Sequence, residues 1–413
     1  VLPRAIPTPV LSFAVRELGA TAGVMVTASH NPSSYNGYKV YLGGKEAGSQ
    51  IVAPTDKLIE DHILNVAHVP FADIPRSKSL VAVVEDSVIR AYINKTILSL
   101  PLKAPPPKKQ VVVVYSAMHG VGGETFLAVL QQAGFAAPHL VQEQFAPDPD
   151  FPTVGFPNPE EEGALDLSFE KARAVEGGLV IAHDPDADRL SVGLPDPSCP
   201  AGYRALTGNQ VGAIFGWYLG KSASKFGIEG TFANSIVSSP VLGKIARHFG
   251  LNHEETLTGF KHISRVKNLI FGFEEALGYL VNPSIVRDKD GISAGLLIIS
   301  LANILASEDQ TLWDYLKDIE THMGVFSSRQ MIIALSDTED LPPLPERLRQ
   351  SPPTNVGDRA IVSHEDFLNG VNGFPAENIL RYYLDDGSRI IIRPSGTEPK
   401  LKVYLDTQGD TRV

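Results

Sequence analysis

A serine and a histidine stand side by side in a loop that directly follows a predicted strand. Ser29 and His30 lie in the segment TASHNP, after the apolar run GVMVT. A hydroxyl at a strand end can reach a bound substrate as a nucleophile, and an adjacent histidine can exchange a proton with it. Ala28 and Asn31 flank the pair without the glycines of a hydrolase nucleophile elbow, which disfavours a serine protease or esterase. The alternative is a plain turn built of Ser, Asn and Pro.

Three aspartates alternate in the loop HDPDADRL, after the apolar run LVIA. In an extended loop, Asp184, Asp186 and Asp188 can converge on one hard cation, with Arg189 adjacent, which suits Mg²⁺ with open coordination positions. An EF-hand fails because its sixth position is Arg189 instead of Gly and its twelfth is Pro195 instead of Glu. The alternative is a solvated acidic turn.

A third cluster, RPSGTEPK, has the composition of a phosphate-binding loop. Arg393 offers a bidentate guanidinium, Ser395 and Thr397 offer hydroxyls, and Gly396 lets backbone N–H groups approach an anion closely. The segment KLKVYL that follows alternates like a strand, so the same loop can also be a hairpin turn.

A fourth stretch, FGFEEALGY, places two adjacent carboxylates after an apolar run. Glu274 and Glu275 can accept hydrogen bonds from vicinal sugar hydroxyls, although such a pair is more often a solvated surface feature. Lys39 in NGYKVY and Lys261 in TGFKHI are candidate proton carriers or phosphate contacts. An ordinary lysine is a surface charge, so the residue type alone leaves their roles open.

The elements that must position these loops alternate between short apolar strands and amphipathic helices. The pattern predicts strands at 23–27, 111–115, 179–182, 231–237 and 389–393, and helices at 123–132, 210–219, 240–249 and 293–305. Strand, loop and helix in repeated order indicate an α/β fold with mostly parallel sheets. Ligands of such sheets bind where strands end, which is where the polar clusters fall.

Composition and charge exclude several classes of protein. The chain has 413 residues, 43% of them hydrophobic, and a formal charge of −11. These figures match a globular protein of two to four domains and exclude a disordered or fibrous chain. The negative charge argues against a nucleic-acid partner, although a local anion pocket is compatible with it. The single cysteine, Cys199, fits a reducing compartment, so we expect a cytoplasmic location.

Segments between the elements suggest the domain organisation. Pro-rich stretches at 103–109 and 341–353 are predicted linkers, and 195–202 is a linker or a loop. The longest apolar stretch, 292–306, is shorter than the roughly 18 residues that a membrane span needs, so we expect a buried helix and no membrane partner. The chain opens VLPRAIPTPV, with no initiator methionine and no targeting signal, so we expect residues to precede Val1.

Taken together, the clusters resemble the four signature loops of the α-D-phosphohexomutases, which include phosphoglucomutases, phosphomannomutases and phosphopentomutases. TASHNP, DPDADR, GFEEALGY and RPSGTEP occur in that family's order, and PTPVLSFAV, TGNQVGA, TGFKHI and RDKDGISA resemble its connecting segments. The resemblance covers essentially the whole chain. GFEEALGY followed by VRDKDGIS is most similar to the branch of phosphoglucomutase 2-type enzymes and phosphopentomutases.

The resemblance implies a role for each candidate residue. Ser29 would be the phosphoserine, and a phosphate oxygen on it would complete a Mg²⁺ site with the three aspartates. The remaining roles are these: sugar binding by Glu274 and Glu275, binding of the non-reacting phosphate by Arg393, Ser395, Gly396 and Thr397, and active-site positions for His30, Lys39, Arg189 and Lys261.

The resemblance also implies an architecture and a reaction. Four domains would surround a cleft: 1–97, 98–200, 201–324 and 325–413, the first three with mixed, helix-sandwiched sheets and the last a smaller α+β unit. The enzyme would interconvert glucose 1-phosphate and glucose 6-phosphate through a bisphosphate, with glucose 1,6-bisphosphate as activator. Ala276 stands where many phosphoglucomutases have Ser, which leaves ribose phosphates as an alternative substrate. An inactive, truncated sugar-phosphate-binding homologue is the third hypothesis. The sequence leaves the oligomeric state open.

Overall fold

The computed structural model describes residues 1–102, 106–107, 110–334, 343–394 and 400–409. Most of the predicted linker at 103–109 and the first part of that at 341–353 lie outside the described residues. So do three predicted phosphate-binding residues: Ser395, Gly396 and Thr397. The described part of the chain contains four sheets, one for each expected domain, and this confirms the α/β class.

The first sheet has the order β1-β2-β3, and its strands pair antiparallel. The loop between β1 and β2 holds TASHNP and is too short for the helical crossover that a parallel pair requires. The parallel pairs predicted from the alternating pattern are therefore not found in this sheet. Its elements are α1 (Thr8–Glu17), β1 (Ala22–Val26), β2 (Tyr38–Leu42), β3 (Ser49–Gln50), α2 (Thr55–Val66) and α3 (Ser87–Ser99).

The second sheet is mixed, as expected, in the order β5-β4-β6-β7-β8. β4 pairs parallel with β5 and β6, while β7 and β8 are antiparallel. The apolar runs VVVVY and LVIA supply β4 and β6, whose residues are all buried. Because β8 still pairs with β7, we place the end of this domain after Ala205 instead of at residue 200. The elements are β4 (Val113–Ser116), α4 (Gly122–Gln132), β5 (His139–Leu140), α5 (Asp166–Val175), β6 (Leu179–Ala182), β7 (Ser191–Pro195) and β8 (Tyr203–Ala205).

The third sheet is also mixed, in the order β10-β9-β11-β12, with only β12 antiparallel. Its first helix begins at a capping box, in which Thr207 and Gln210 each bond the other's backbone N–H. The elements are α6 (Gly208–Phe226), β9 (Thr231–Ser235), α7 (Val241–His248), β10 (Asn252–Thr256), α8 (Phe260–Ile263), β11 (Leu269–Glu274), β12 (Gly278–Leu280), α9 (Gly291–Ala306) and α10 (Leu312–Met323).

The apolar stretch predicted as a buried helix is α9. Nearly all of its residues are buried, which confirms the prediction. Among the helices that the structure describes, none combines the length and the apolar character that crossing a membrane requires.

The fourth sheet is antiparallel throughout, in the order β13-β18-β17-β16-β15-β14. The loop of the RPSGTEPK cluster joins its neighbouring strands β17 and β18, so the predicted hairpin and the predicted phosphate loop are one segment. The elements are β13 (Val325–Ala334), α11 (Leu344–Gln350), β14 (Asn355–Val356), β15 (Arg359–Asp366), β16 (Leu380–Leu384), β17 (Arg389–Pro394) and β18 (Lys400–Gly409).

One hydrophobic core joins the first three domains, whereas the fourth packs through a smaller one. The large cluster contains Phe13 of α1, Tyr115 of β4 and most of α9. The smaller cluster packs Leu257, just after β10, against Ile391 and Tyr404 of the fourth domain. The first three domains therefore form a single packed body, to which the fourth is attached by a limited contact.

An ion cluster strengthens the attachment of the fourth domain. Glu255 of β10 accepts hydrogen bonds from Arg381 at 2.8 Å and from Arg389 at 3.1 Å. Both arginines are almost fully buried, and each has a second carboxylate partner, Glu365 for Arg381 and Asp406 for Arg389. One carboxylate of the third domain thus ties two strands of the fourth.

Replacing Glu255 by alanine should destabilise this attachment. The two buried arginines keep their other partners, so we expect a loss of about 1.5–3 kcal/mol, the range for hydrogen bonds to charged groups. Calorimetry should show a lower Tm for the transition that includes the fourth domain. Glu60→Ala is the control, since Glu60 pairs with Lys57 on the exposed face of α2. Equal Tm values for the two variants would contradict the assignment.

Candidate active site

The predicted nucleophile lies in the loop after β1 and has an unusual backbone conformation. Ser29 has a φ of 55°, in the left-handed region that few non-glycine residues adopt. Its backbone N–H donates to Thr27 Oγ1 at 2.8 Å, which holds the turn in this shape. Strained residues of this kind occur preferentially at functional sites, where the surrounding structure fixes them.

The turn aims the Ser29 hydroxyl at the predicted metal loop. Ser29 Oγ lies 3.3 Å from Asp184 Oδ2 and 3.1 Å from Asp186 Oδ1, and 3.3 Å from His30 Nδ1. The serine and the aspartates are more than 150 residues apart in sequence. The fold therefore brings two of the predicted clusters into direct contact.

Three buried carboxylates converge beside this hydroxyl. Asp184, Asp186 and Asp188 each offer one oxygen, and these oxygens lie within 4.8 Å of one another. Asp188 Oδ1 is buried and has no hydrogen-bond partner among the described residues. Since a buried, unpaired carboxylate oxygen is costly, this atom fits a cation ligand. Burial raises the pKa of Asp184 well above its usual range, and the charges of Asp188 and Asp186 add to the effect.

Lys39 lies against the same carboxylates. Its Nζ is 2.6 Å from both Asp186 Oδ2 and Asp188 Oδ2. Although burial opposes it, the attraction of Asp186 and Asp188 raises the pKa of Lys39 above its ordinary value. The side chain is therefore an ammonium group here, able to donate a proton and to neutralise charge but not to accept a proton.

His30 is the opposite case. Burial, together with the charge of Arg189, lowers the pKa of His30 to about 3. The imidazole is therefore neutral at physiological pH, and its Nδ1 faces the Ser29 hydroxyl. Of the two side chains, only His30 has an unprotonated nitrogen at this place, and its low pKa makes that nitrogen a weak base.

The metal loop is joined directly to the predicted sugar loop. Arg189 N donates to Asp184 Oδ1 at 2.9 Å, and the next residue, Leu190, donates its N–H to the Leu277 carbonyl at 3.0 Å. Arg189 Nη1 is 3.6 Å from Glu160, a carboxylate from a loop of the second domain. The two clusters therefore share one wall of the cleft.

The two predicted sugar-binding carboxylates differ in their surroundings. Glu274 ends β11, and its Oε1 accepts a hydrogen bond from the Gly259 N–H at 2.6 Å. Burial raises the pKa of Glu274 to about 7, although Lys289 opposes the shift. Glu275 Oε2 accepts from Ser235 and Ser238, so one of its oxygens already holds the neighbouring loop.

Arg393 reaches the cleft from the fourth domain. Its Nη1 donates to Thr258 Oγ1, and Thr258 precedes Gly259, which donates to Glu274. The predicted phosphate anchor and the predicted sugar loop thus contact adjacent residues. Lys261 follows on α8, but among the described residues no hydrogen bond or ion pair joins its side chain to another predicted site residue.

The sequence reasoning did not single out two residues that contact the aspartates. Thr8 Oγ1 donates to Asp186 Oδ2 at 2.6 Å, and Lys289 Nζ lies 3.0 Å from Asp188 Oδ2. Both stand in segments that resemble only the family's connecting segments, PTPVLSFAV and RDKDGISA. Thr8 is the first residue of α1, and Lys289 lies just before α9. Neither residue type by itself indicates a contact with the aspartates.

Family models match most of the chain in four consecutive pieces. All four are described as domains of phosphoglucomutase/phosphomannomutase: α/β/α domain I at residues 1–69, domain II at 90–196, domain III at 207–322 and the C-terminal domain at 355–413.

Curated relatives cover nearly the full chain. A "Probable phosphomannomutase" of Haemophilus influenzae is 48% identical over 99% of this chain and 82% of its own length. A phosphoglucomutase of Staphylococcus epidermidis is 34% identical over 98% of this chain and 76% of its own. A human phosphopentomutase is also 34% identical, over 97% of this chain and 70% of its own.

Solved structures share the fold at lower identity. Parafusin, a phosphoglucomutase from Paramecium, superimposes with a TM-score of 0.70 at 19% identity, over 99% of this chain and 77% of its own. The N-acetylphosphoglucosamine mutase of Aspergillus fumigatus, solved with GlcNAc-6P and magnesium, has a TM-score of 0.53 at 15% identity, over 97% of this chain and 90% of its own.

Proposed function

The chain belongs to the phosphoglucomutase/phosphomannomutase family, and from this premise we propose that it interconverts the 1-phosphate and 6-phosphate of an aldohexose through a phosphorylated Ser29. The observation that carries the proposal is the placement of Ser29 Oγ within 3.3 Å of two of three buried, converging carboxylates. A turn without a binding role would have no need for three buried carboxylates. The homologues are isomerases that transfer phosphate within one molecule, which is the reaction class we assign.

In the transfer step, a sugar hydroxyl oxygen forms a bond to the phosphorus on Ser29, and the bond from phosphorus to Ser29 Oγ breaks. The hydroxyl proton ends on Ser29 Oγ, and His30, whose neutral Nδ1 lies 3.3 Å from that oxygen, relays it without being left protonated, since its pKa is about 3. The product is a sugar bisphosphate. The reverse step, with the other phosphate of the sugar, restores phosphoserine and leaves the isomer.

The charges of the site suit a phosphoryl group, which brings about −1.5 to −2 charges as phosphoserine. Asp184, Asp186 and Asp188, with a phosphate oxygen on Ser29, would hold Mg²⁺, which when bound neutralises the charge on the transferring group. Lys39 and Arg189 add positive charge beside the aspartates. Among the described residues, Asp188 Oδ1 is a buried carboxylate oxygen without a hydrogen-bond partner, which suits it as a ligand of that cation.

The second half of the cleft suits the rest of the substrate. Glu274 would accept hydrogen bonds from sugar hydroxyls, and Arg393 would bind the phosphate that is not reacting. Because both contact the pair Thr258 and Gly259, sugar and phosphate can be held as one rigid unit. Exchange of the two ends of the bisphosphate then presents either phosphate to Ser29.

Glucose 1-phosphate is the substrate we expect, and mannose 1-phosphate is the second candidate, because the relative that is 48% identical is named as a phosphomannomutase. The test is a set of steady-state assays with glucose, mannose and ribose 1-phosphates, each with Mg²⁺ and the matching bisphosphate. Conversion of a hexose phosphate at a kcat/KM at least tenfold above that of ribose 1-phosphate supports the proposal. A preference for ribose 1-phosphate would overturn the hexose assignment, and no conversion of any of the three would overturn the mutase itself.

The pH dependence of substrate use should report on Glu274. With a pKa of about 7, this carboxyl is mostly ionised at pH 8 and mostly protonated at pH 6. Since the ionised form is the better acceptor for sugar hydroxyls, we expect kcat/KM to fall about tenfold when the pH is lowered from 8 to 6. Glu274→Gln is the control, because it cannot titrate and retains only the fall that is due to other groups. Identical profiles for the two proteins would contradict the assignment.

A further inference from the structure

The three aspartates divide their carboxylate oxygens in the same way. One oxygen of Asp184 and one of Asp186 face Ser29, and Asp188 Oδ1 has no partner in the described structure. The other oxygen of each residue makes hydrogen bonds or ion pairs with the protein. The donors are the Arg189 N–H for Asp184, Thr8 and Lys39 for Asp186, and Lys39 and Lys289 for Asp188.

Thr8 is the neutral donor that comes from a different domain. It is the first residue of α1, it is fully buried, and it is 178 residues from Asp186 in sequence. Its hydroxyl donates to Asp186 Oδ2 at 2.6 Å, and its backbone N–H donates to the Asp186 carbonyl at 2.9 Å. The N–H groups of a first helical turn lack partners within the helix, so this contact also satisfies an otherwise unpaired donor.

Lys39 cannot replace the threonine in this role. Its single ammonium group is shared between Asp186 Oδ2 and Asp188 Oδ2, each at 2.6 Å, so it does not fix either carboxylate by itself. Without the Thr8 hydroxyl, the Asp186 carboxylate could rotate and present either oxygen to the ammonium. The oxygen that faces Ser29 would then no longer be defined.

We propose that Thr8 is a positioning residue, whose hydroxyl turns Asp186 Oδ1 toward the divalent cation and the Ser29 hydroxyl. The inference rests on the proposed function in one respect, that the aspartate loop holds a cation. Groups behind a metal ligand commonly contribute 10–100-fold to affinity. The cation site is thus completed by a contact between the first and second domains.

The experiment measures Mn²⁺ binding by electron paramagnetic resonance, on dephosphorylated full-length protein and without substrate. Thr8→Val removes the hydroxyl and keeps the branched shape, so we expect the Kd for Mn²⁺ to rise about 10–100-fold. Thr8→Ser keeps a hydroxyl, so its Kd for Mn²⁺ should stay close to that of wild type, well below the roughly 10–100-fold rise expected for valine. Thr96→Val is the matched control, because Thr96 of α3 is equally buried and is not bonded to any of the three aspartates. Its Kd should not change.

The outcomes separate this inference from the proposed function. An unchanged Kd in a folded Thr8→Val protein would overturn it, as would a wild type that binds no Mn²⁺. Weaker binding by Thr8→Val together with a wild type that lacks mutase activity would uphold the positioning role and overturn the mutase. If the valine variant does not fold, Thr8→Ala, which removes the hydroxyl without any crowding, takes its place. A higher Kd for Mn²⁺ in that variant supports the proposal, and an unchanged Kd overturns it.

Discussion

Alanine at position 29 should reduce turnover by about 10⁴-fold or more, the scale seen when a covalent nucleophile is removed. The expected loss follows from the geometry, because Ser29 is the residue in the described part of the chain that places a hydroxyl between His30 and the converging oxygens of Asp184 and Asp186. Steady-state kinetics with a hexose 1-phosphate and its bisphosphate measure the loss. Mass spectrometry of the intact protein should find one phosphoryl group on wild type after incubation with the bisphosphate and none on the variant.

Ser33→Ala is the control for this experiment. Ser33 lies in the same loop but makes no hydrogen bond to the three aspartates in the described structure. Its alanine variant should keep both turnover and the phosphoryl group. Residual activity of the Ser29 variant above one per cent of wild type would mean that phosphate passes through another group, and the proposed mechanism would have to be abandoned.

Asparagine at position 184 should cause the second large effect, a loss of more than about 10²-fold in kcat, since a direct ligand matters more than the groups behind it, together with much weaker Mg²⁺ binding. The amide oxygen can keep the hydrogen bond from the Arg189 N–H, which is 2.9 Å long in the wild type, so the loop should retain its shape. The amide nitrogen would then face Ser29, where Asp184 Oδ2 now lies, and an amide nitrogen does not ligate Mg²⁺. Titration calorimetry with Mg²⁺ and activity assays measure the two effects separately.

Asp196→Asn is the matched control, since Asp196 also accepts a hydrogen bond from a backbone N–H, that of Ser198 at 2.9 Å, outside the site. It should leave both Mg²⁺ binding and kcat unchanged. Normal Mg²⁺ affinity in the Asp184 variant would show that the cation binds elsewhere, whatever happens to its activity.

Much of the fold could be predicted because its signals are local. The apolar runs before Ser29, Asp184 and Arg393 formed strands at or within a few residues of the predicted limits, whereas β11 before the sugar loop was not among the predicted strands. Buried strands need continuous apolar residues, and a loop at their ends must be polar to face a ligand. The antiparallel pairing of the first sheet was not predicted, because β2 was not among the predicted strands and the alternating pattern was interpreted as parallel units.

The site could be predicted only in part. The sequence singles out residues with distinctive chemistry in short motifs, such as Ser29 and the aspartates, and the structure places them together. Thr8 was missed because an isolated threonine at a helix start has many ordinary roles, and its partner Asp186 lies 178 residues away. The use of one Glu275 oxygen by Ser235 and Ser238 is likewise a tertiary contact that no local pattern reports.

The left-handed backbone at position 29 also restricts which alcohol can stand there. A threonine offers the same reactive oxygen, but a side chain branched at Cβ is a genuine outlier at a φ of 55°. Its methyl group would crowd the neighbouring peptide in the very turn that aims the hydroxyl. Among the residues with an aliphatic alcohol, the geometry of the loop therefore admits serine and rejects threonine before any phosphate arrives.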